Sequence, residues 1–147
     1  MVLEASRTVD VDAPIERCYE LAADIEGAPD WQETLLDVEV LERDDQGRPL
    51  VVETVSDAVV RKARTRLRFS YDPPKGLSWE QLEGDPKWLN GRWAFEDLGD
   101  GRTRATYALE SDPGRLLGML LRGPVQDRVK DHVTRAPTEG LQRVARG

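Results

Sequence analysis

Residues 87–110 have the sequence KWLNGRWAFEDLGDGRTRATYALE, in which apolar and polar side chains alternate on both sides of Gly99-Asp100-Gly101. Alternation with a period of two is typical of a strand that buries one face, and a short Gly/Asp connection is typical of a hairpin. The segment therefore predicts two antiparallel strands, 87–98 and 102–110. Their shared inner face is expected to carry Leu89, Gly91, Trp93, Phe95, Thr103, Ala105, Tyr107 and Leu109.

Further alternating runs lie on the N-terminal side of this hairpin. Turn-forming Gly, Pro and Asp residues separate four runs that each predict a strand: 36–42, 49–57, 63–71 and 77–83. Residues 3–11 predict one more strand at the start of the chain. Two short helices are expected after it, the first with Pro14 in its first turn and the second capped by Asp24.

The spacing of apolar residues becomes helical after Asp112-Pro113-Gly114. A stripe at this spacing predicts a long C-terminal helix; it consists of Leu117, Leu121, Val125, Val129, His132 and Ala136, with Leu141 and Val144 beyond. Gly123-Pro124 predicts a kink or a restart in the helix, because proline disrupts the backbone hydrogen bonds of a helix interior. For the same reason Pro137 leaves open whether the helix ends early.

Composition narrows the class of protein. A net charge of −7 over 147 residues argues against nucleic-acid partners, which favour a basic face. No run approaches the roughly 18 apolar residues of a membrane span. One cysteine, Cys18, excludes an internal disulfide and a cysteine-based zinc site. The single cysteine and the lack of a secretory signal at the N-terminus together favour a cytoplasmic location.

Four segments resemble one protein family, in the family's order: VDVDAPIE (9–16), DIEGAPDW (24–31), GRWAF (91–95) and GRTRATY (101–107). The family is the START-like (helix-grip) superfamily, in its branch of polyketide cyclases and dehydratases, coenzyme-Q-binding proteins and lipid carriers. The resemblance implies an α+β helix-grip fold, formed as a single domain over residues 1–147. In this fold a curved seven-stranded antiparallel sheet, with two short helices after strand 1, wraps round a long C-terminal helix.

The resemblance also implies a cavity between the sheet and the helix, and the inner faces predict an apolar lining. We therefore expect binding, transport or sequestration of a small hydrophobic molecule, such as a polyketide, a quinone or a lipid. Trp31 is included because the family's loop at this point closes one end of the cavity. The predicted ligand-binding residues are Trp31, Leu67, Phe69, Tyr71, Trp79, Trp93, Tyr107, Leu121, Val125 and His132.

Catalysis is a separate question. No hydrolase, phosphate-binding or metal-ligand motif occurs in the sequence, and no cofactor is expected. The alternative to a binding protein is an aromatic polyketide cyclase or dehydratase that acts mainly by positioning its substrate. Its candidate acid–base residues are Tyr71, Tyr107 and His132, although a packed helix residue is the simpler interpretation of His132.

A second alternative is a protein-interaction module. Arg64, Arg66 and Arg68 form an arginine stripe that alternates with the apolar residues of the same run, so parity places the stripe on the solvent face. Such a stripe could be an interaction surface. Trp88 lies on the same outer parity, and exposure of its indole would allow a homodimer contact.

Overall fold

The computed structural model describes residues 2–57, 59 and 61–146. Seven strands form one antiparallel sheet, and burial alternates along them as the sequence pattern predicts. All seven predicted strands are confirmed. Their bounds are β1 (Leu3–Val11), β2 (Leu35–Arg43), β3 (Pro49–Asp57), β4 (Lys62–Asp72), β5 (Gly76–Gly84), β6 (Trp88–Gly99) and β7 (Arg102–Asp112).

The sheet has the strand order β1-β7-β6-β5-β4-β3-β2, so the first two strands of the chain form its two edges. Two short helices make the connection between these edges: α1 (Ile15–Ala23) and a 3-10 helix (Ile25–Asp30). In α1 the buried residues Ile15, Cys18 and Ala22 are three and four positions apart, which places them on one helix face. The predicted helix-grip architecture is confirmed.

The C-terminal region contains two helices, α2 (Arg115–Leu120) and α3 (Pro124–Arg146). The predicted interruption at Gly123-Pro124 is confirmed, and Gly123 adopts a left-handed backbone conformation with φ of 58°. Pro137 lies inside α3, and the helix continues through it. Because its ring is fully buried, Pro137 is a packing residue of the helix interior and does not shorten α3.

Contacts along α3 fix its position against the sheet and the 3-10 helix. The Arg7 guanidinium of β1 donates to the Asp131 carboxylate of α3 at 2.6 Å. Further along the helix, Gly140 packs against Trp31, and a Cβ at position 140 would overlap the Trp31 carbonyl oxygen. The absence of a side chain at Gly140 therefore allows the helix backbone to approach this closely.

The strand register places several chain connections at the same end of the sheet. Ser56 pairs with Ala63 and Leu3 pairs with Ser111, so the end of β3, the start of β4, the start of β1 and the end of β7 lie at one end of the sheet. The described β5–β6 ladder ends at the Glu80–Asn90 pair, so the two strands are not paired beyond it at this end. We call this the open end of the sheet; the strand residues there are Leu3, Leu35, Asp57, Lys62, Gly84, Trp88 and Asp112.

Within the described residues, no helix combines the length and the apolar composition needed to cross a membrane.

Candidate functional site: an apolar cavity between the sheet and the C-terminal helix

A cavity of about 210 Å³ lies between the inner face of the sheet and α3. Its walls are mainly apolar, because strand alternation turns one set of side chains inward and the helices present apolar faces to them. The sheet contributes Leu67, Phe69, Leu77, Trp79, Trp93, Tyr107 and Leu109, and the helical side contributes Ile25, Leu121, Val129 and Val133.

Aromatic rings form a continuous cluster along the sheet side of the cavity. Ring centres are 5.7 Å apart for Phe69 and Trp79, 5.7 Å for Trp79 and Tyr107, and 4.9 Å for Tyr107 and Trp93. Gly91 makes room for this cluster, since a Cβ at position 91 would overlap the Trp79 indole. These separations are typical of tilted and edge-to-face aromatic contacts. The cluster therefore provides a broad apolar surface for a bound molecule.

The Tyr107 hydroxyl is one polar group of this aromatic cluster, beside the indole N–H groups of Trp79 and Trp93. It forms no hydrogen bond with any residue that the structure describes. Burial raises the pKa of Tyr107 above the ordinary tyrosine value, because the charged phenolate is poorly solvated there. The phenol therefore stays protonated at neutral pH and can donate a hydrogen bond, whereas it cannot serve as a base.

A few buried polar side chains complete the walls. Thr54 of β3 and Thr65 of β4 pair through their hydroxyl oxygens at 2.7 Å, which satisfies one bond of each buried group. Gln32 and Thr34 are also buried and line the cavity. Sparse polar groups in an apolar cavity can orient a hydrophobic ligand without preventing its burial.

Two charged residues contribute to the cavity wall, namely Asp57 at the open end of the sheet and Lys130 on α3. Asp57 accepts a hydrogen bond from the Val59 backbone N–H at 2.9 Å, and its other carboxylate oxygen lies 3.9 Å from His132 Nε2. That nitrogen is buried and has no hydrogen-bond partner among the described residues. In the described part of the chain, no three His, Cys, Asp or Glu side chains are grouped so as to hold a metal ion.

Six of the predicted ligand-binding residues line the cavity together: Leu67, Phe69, Trp79, Trp93, Tyr107 and Leu121. The other four, namely Trp31, Tyr71, Val125 and His132, do not belong to the described lining. Contact of any of these residues with a ligand stays a prediction.

Two of those four residues have other packing roles. Tyr71 follows the inner parity of β4 but lies near its C-terminal end, where its hydroxyl donates to the Pro49 carbonyl and the Arg48 guanidinium lies 4.6 Å from its ring centre. Burial is the main cause that raises the pKa of Tyr71. Trp31 is buried beside Trp93, with their ring centres 6.4 Å apart. Trp31 therefore contributes to the packed core behind the cavity wall.

The three candidate acid–base residues lie in different places, and no hydrogen bond joins any two of them. Tyr107 lies in the cavity, and Tyr71 lies outside its described lining. His132 lies beside Asp57 at the open end. An acid–base pair is therefore not assembled from these side chains.

Sequence spacing identified only part of the arc of α3 that faces the cavity. Of the predicted stripe, Leu121 and Val129 line the cavity, whereas Val125 and His132 do not. Lys130 and Val133 line the cavity and were not predicted there. On an α-helix, positions 129, 130 and 133 lie within about 100° of one another around the helix axis, so all three residues can face the cavity. In the sequence this arc is indicated by Val129 and Val133, which are four residues apart and therefore share one helix face. Lys130, which lies between them, interrupts the apolar pattern.

The arginine stripe lies on the outer face of the sheet, as its parity predicts. Arg64 and Arg66 donate to the Glu53 carboxylate at 2.9 Å and 3.3 Å, and Arg68 is exposed. The hydrogen bonds from Arg64, followed by those from Arg66, hold the pKa of Glu53 below its ordinary value. Trp88 is half-buried. The stripe is therefore partly engaged within the chain and does not contribute to the cavity.

The sequence and the fold have clear relatives. The family model described as polyketide cyclase / dehydrase and lipid transport matches residues 11–137. No curated protein matches the sequence. Among solved structures, a START superfamily protein from Mycobacterium smegmatis superposes with a TM-score of 0.84 at 18% identity, covering 97% of each chain.

Two further solved structures are similar over nearly their full length. A protein from Thermus thermophilus has a TM-score of 0.83 and 26% identity, with 97% of each chain covered. The aromatase/cyclase Zhui from a Streptomyces species has a TM-score of 0.75 and 23% identity, covering 98% of this chain and 96% of Zhui. These structures share the fold described above.

Proposed function

Since the chain belongs to the polyketide cyclase/dehydrase and lipid transport family, we propose that it binds a small hydrophobic molecule in the cavity between the sheet and α3. The observation that carries this proposal is the cavity itself, with its volume of about 210 Å³ and its aromatic and aliphatic walls. Apolar walls with few polar groups favour ligands whose main gain on binding is removal of apolar surface from water. A polyketide, a quinone or a lipid has such a surface.

A small neutral aromatic probe tests this proposal. We expect 2-naphthol to bind to the wild-type protein, with a change in tryptophan fluorescence because Trp79 and Trp93 line the cavity. The variant Ala5→Phe adds a ring to an inward position of β1 and should weaken binding at least about ten-fold by filling the space. Titration calorimetry gives both affinities.

A matched control uses the same substitution on the other face of the sheet. Ala108 of β7 pairs with Ser6, the neighbour of Ala5, and its side chain has the outward parity. Ala108→Phe should therefore leave the affinity for 2-naphthol unchanged. Equal losses in Ala5→Phe and Ala108→Phe, or binding that Ala5→Phe leaves intact, would place the probe outside the cavity and refute the proposal.

A second candidate function is cyclisation or dehydration of a polyketide, and the Tyr107 hydroxyl is the observation that favours it. An unpartnered phenol that stays protonated can donate a hydrogen bond to a substrate carbonyl, which helps enolate formation. The structural similarity to the aromatase/cyclase Zhui supports this candidate through the shared fold. The cavity would supply the remaining acceleration of the reaction by holding the reactive chain in position.

Product analysis tests the second candidate. A linear poly-β-ketone thioester would be incubated with the wild-type protein, with Tyr107→Phe and with Tyr71→Phe, whose hydroxyl donates to a backbone carbonyl outside the described lining. We expect the wild type and Tyr71→Phe to give the same ratio of cyclised products, and Tyr107→Phe a different one. A ratio that is the same with and without protein would exclude the activity on that substrate.

A further inference from the structure

We propose that the cavity takes an apolar molecule with a carboxylate at one end, and that Lys130 binds this carboxylate. The inference rests on the proposed function, since it concerns the ligand class of the same cavity. The proposed ligand thus has one charged end, and its remaining surface is apolar.

The first observation is the position and pairing of Lys130. Among the residues that the structure describes, Lys130 is the one cationic side chain in the cavity wall. It is half-buried on α3 between the lining residues Val129 and Val133. Its ammonium forms no hydrogen bond and no ion pair with any described residue. The charge of Lys130 is therefore available to a ligand.

The second observation is that the nearby carboxylates have other partners. Asp131, the next residue of α3, accepts hydrogen bonds from Arg7 at 2.6 Å and from Arg135 at 2.9 Å. Asp57 is held by the Val59 backbone N–H and lies 3.9 Å from His132 Nε2. Neither of these carboxylates forms an ion pair with Lys130.

These observations define a cavity with different chemistry along its length. The aromatic cluster on the sheet provides apolar contact, and Lys130 provides a positive charge in the same cavity wall that no described side chain pairs with. A neutral ligand of the same shape would bury part of the ammonium without compensating its charge. A carboxylate would form a charge-assisted hydrogen bond with it. The cavity should therefore prefer the acid over an isosteric neutral molecule.

The test compares 2-naphthoate with 2-naphthamide at pH 7.5, because the two molecules have nearly the same shape and differ in charge. For the wild type we expect about five-fold tighter binding of the acid, an effect typical of a partly exposed ion pair. The difference should shrink in 0.5 M salt. Lys130→Met keeps an unbranched stem without the charge and should remove the preference, because the acid loses its ion pair and the amide no longer buries an uncompensated ammonium.

Two further variants complete the design. Lys130→Arg keeps a cation at the position and should keep a preference for the acid. Lys62→Met removes an exposed positive charge at the open end of the sheet, outside the described lining, and should behave as the wild type. Amide binding at least as tight as in the wild type shows, in each variant, that the cavity is still folded.

The outcomes separate this inference from the proposed function. Equal binding of both molecules to the wild type would overturn the carboxylate inference and leave apolar binding intact. A preference that survives Lys130→Met, or that disappears equally in Lys62→Met, would overturn the role of Lys130. If neither molecule binds to the wild type, both the proposed function and this inference fail for ligands of this size.

Discussion

At the scale of single residues, the indole of Trp79 occupies the space beside position 91 of the neighbouring strand. Trp79 and Gly91 are register partners on β5 and β6, and both face the cavity side of the sheet. Glycine at position 91 therefore allows a large aromatic side chain to lie across the adjacent strand. The aromatic cluster depends on this one missing side chain.

Gly91→Ala is expected to destabilise the protein by about 1–3 kcal/mol, the usual cost of forcing extra volume into a packed site. The physical reason is the overlap of the new Cβ with the Trp79 indole. Urea denaturation measures the change in the free energy of unfolding. In a Trp79→Leu background the same substitution should cost less, because the overlapping ring is gone. An equal cost in both backgrounds would contradict this explanation.

The ionisation of the tyrosines gives a second test at this scale. The chain has three tyrosines, and burial is the main cause that raises the pKa of Tyr19, Tyr71 and Tyr107. The folded protein therefore holds its phenolic protons to higher pH than the unfolded chain, whose tyrosines titrate near pH 10. Stability gained from the neutral phenols is present below pH 10 and is lost as the pH rises above it.

Absorbance at 295 nm, recorded against pH, measures the tyrosinate directly. At pH 10.5 we expect a smaller fraction of ionised tyrosines in the folded protein than in concentrated urea, where roughly half or more are ionised. Circular dichroism at each pH separates ionisation from unfolding. Titration of the folded protein near pH 10 with an unchanged dichroism spectrum would show that these hydroxyls are not buried as described.

At the scale of elements, a buried threonine pair joins β3 to β4, and an exposed pair joins β1 to β7. Thr54 and Thr65 meet at 2.7 Å inside the protein, whereas Thr8 and Thr106 meet at 2.8 Å on its surface. The two pairs have the same chemistry and differ in access to water. They provide a matched comparison of a hydrogen bond in the two environments.

Thr54→Val should lower the free energy of unfolding by about 1–2 kcal/mol, because it leaves the buried Thr65 hydroxyl without its partner. The double variant Thr54→Val/Thr65→Val should recover most of this loss, since no buried hydroxyl remains. Thr8→Val should cost less than about 0.5 kcal/mol, because water replaces the lost partner of Thr106. Urea denaturation of the four proteins tests the account, and an equal cost of Thr54→Val and Thr8→Val would contradict it.

The contact between α3 and Trp31 gives a further prediction. Gly140→Ala is expected to cost about 3 kcal/mol or more, because the new Cβ would overlap a backbone oxygen that cannot rotate away. Glu139→Ala, at the exposed neighbouring position of the same helix, should change stability by less than about 0.5 kcal/mol. Thermal unfolding monitored by circular dichroism measures both. A small effect of Gly140→Ala would show that α3 does not approach Trp31 this closely.

The strands could be predicted from the sequence because each buries one face and so alternates. That alternation also identified Leu67, Trp79, Trp93 and Tyr107, which line the cavity. It could not show how far along β4 the cavity extends, and Tyr71, with the same parity, lies beyond the described lining. Periodicity defines the face of a strand, whereas the extent of a cavity depends on the elements that cover that face.

The helical part of the site was harder to predict for a different reason. The rotation of α3 about its axis depends on distant contacts, such as Arg7 with Asp131 and Gly140 with Trp31. Spacing along the helix does not encode these contacts. For this reason Val125 and His132 were predicted in the lining, while Lys130 was not. The sequence also left open whether α3 ends at Pro137, and the helix continues through this residue.

At the scale of the whole molecule, the seven-stranded sheet and α3 enclose one apolar space with charged residues in its wall. This organisation connects the aromatic cluster, the Tyr107 hydroxyl and Lys130 in a single cavity. The proposed binding function follows if that space admits a ligand from solution. The central claim is therefore a statement about location, namely that an apolar molecule enters between the sheet and α3.

Nuclear magnetic resonance of the methyl-labelled protein with unlabelled 2-naphthol tests this location most directly. We predict intermolecular Overhauser effects from the naphthol ring to the methyl groups of Leu67, Leu121 and Val129, which line the cavity from both sides. The methyl group of Ala108, on the outer face, should show none. Effects confined to outer-face methyl groups such as Ala108, or none at all at saturating 2-naphthol, would contradict the account.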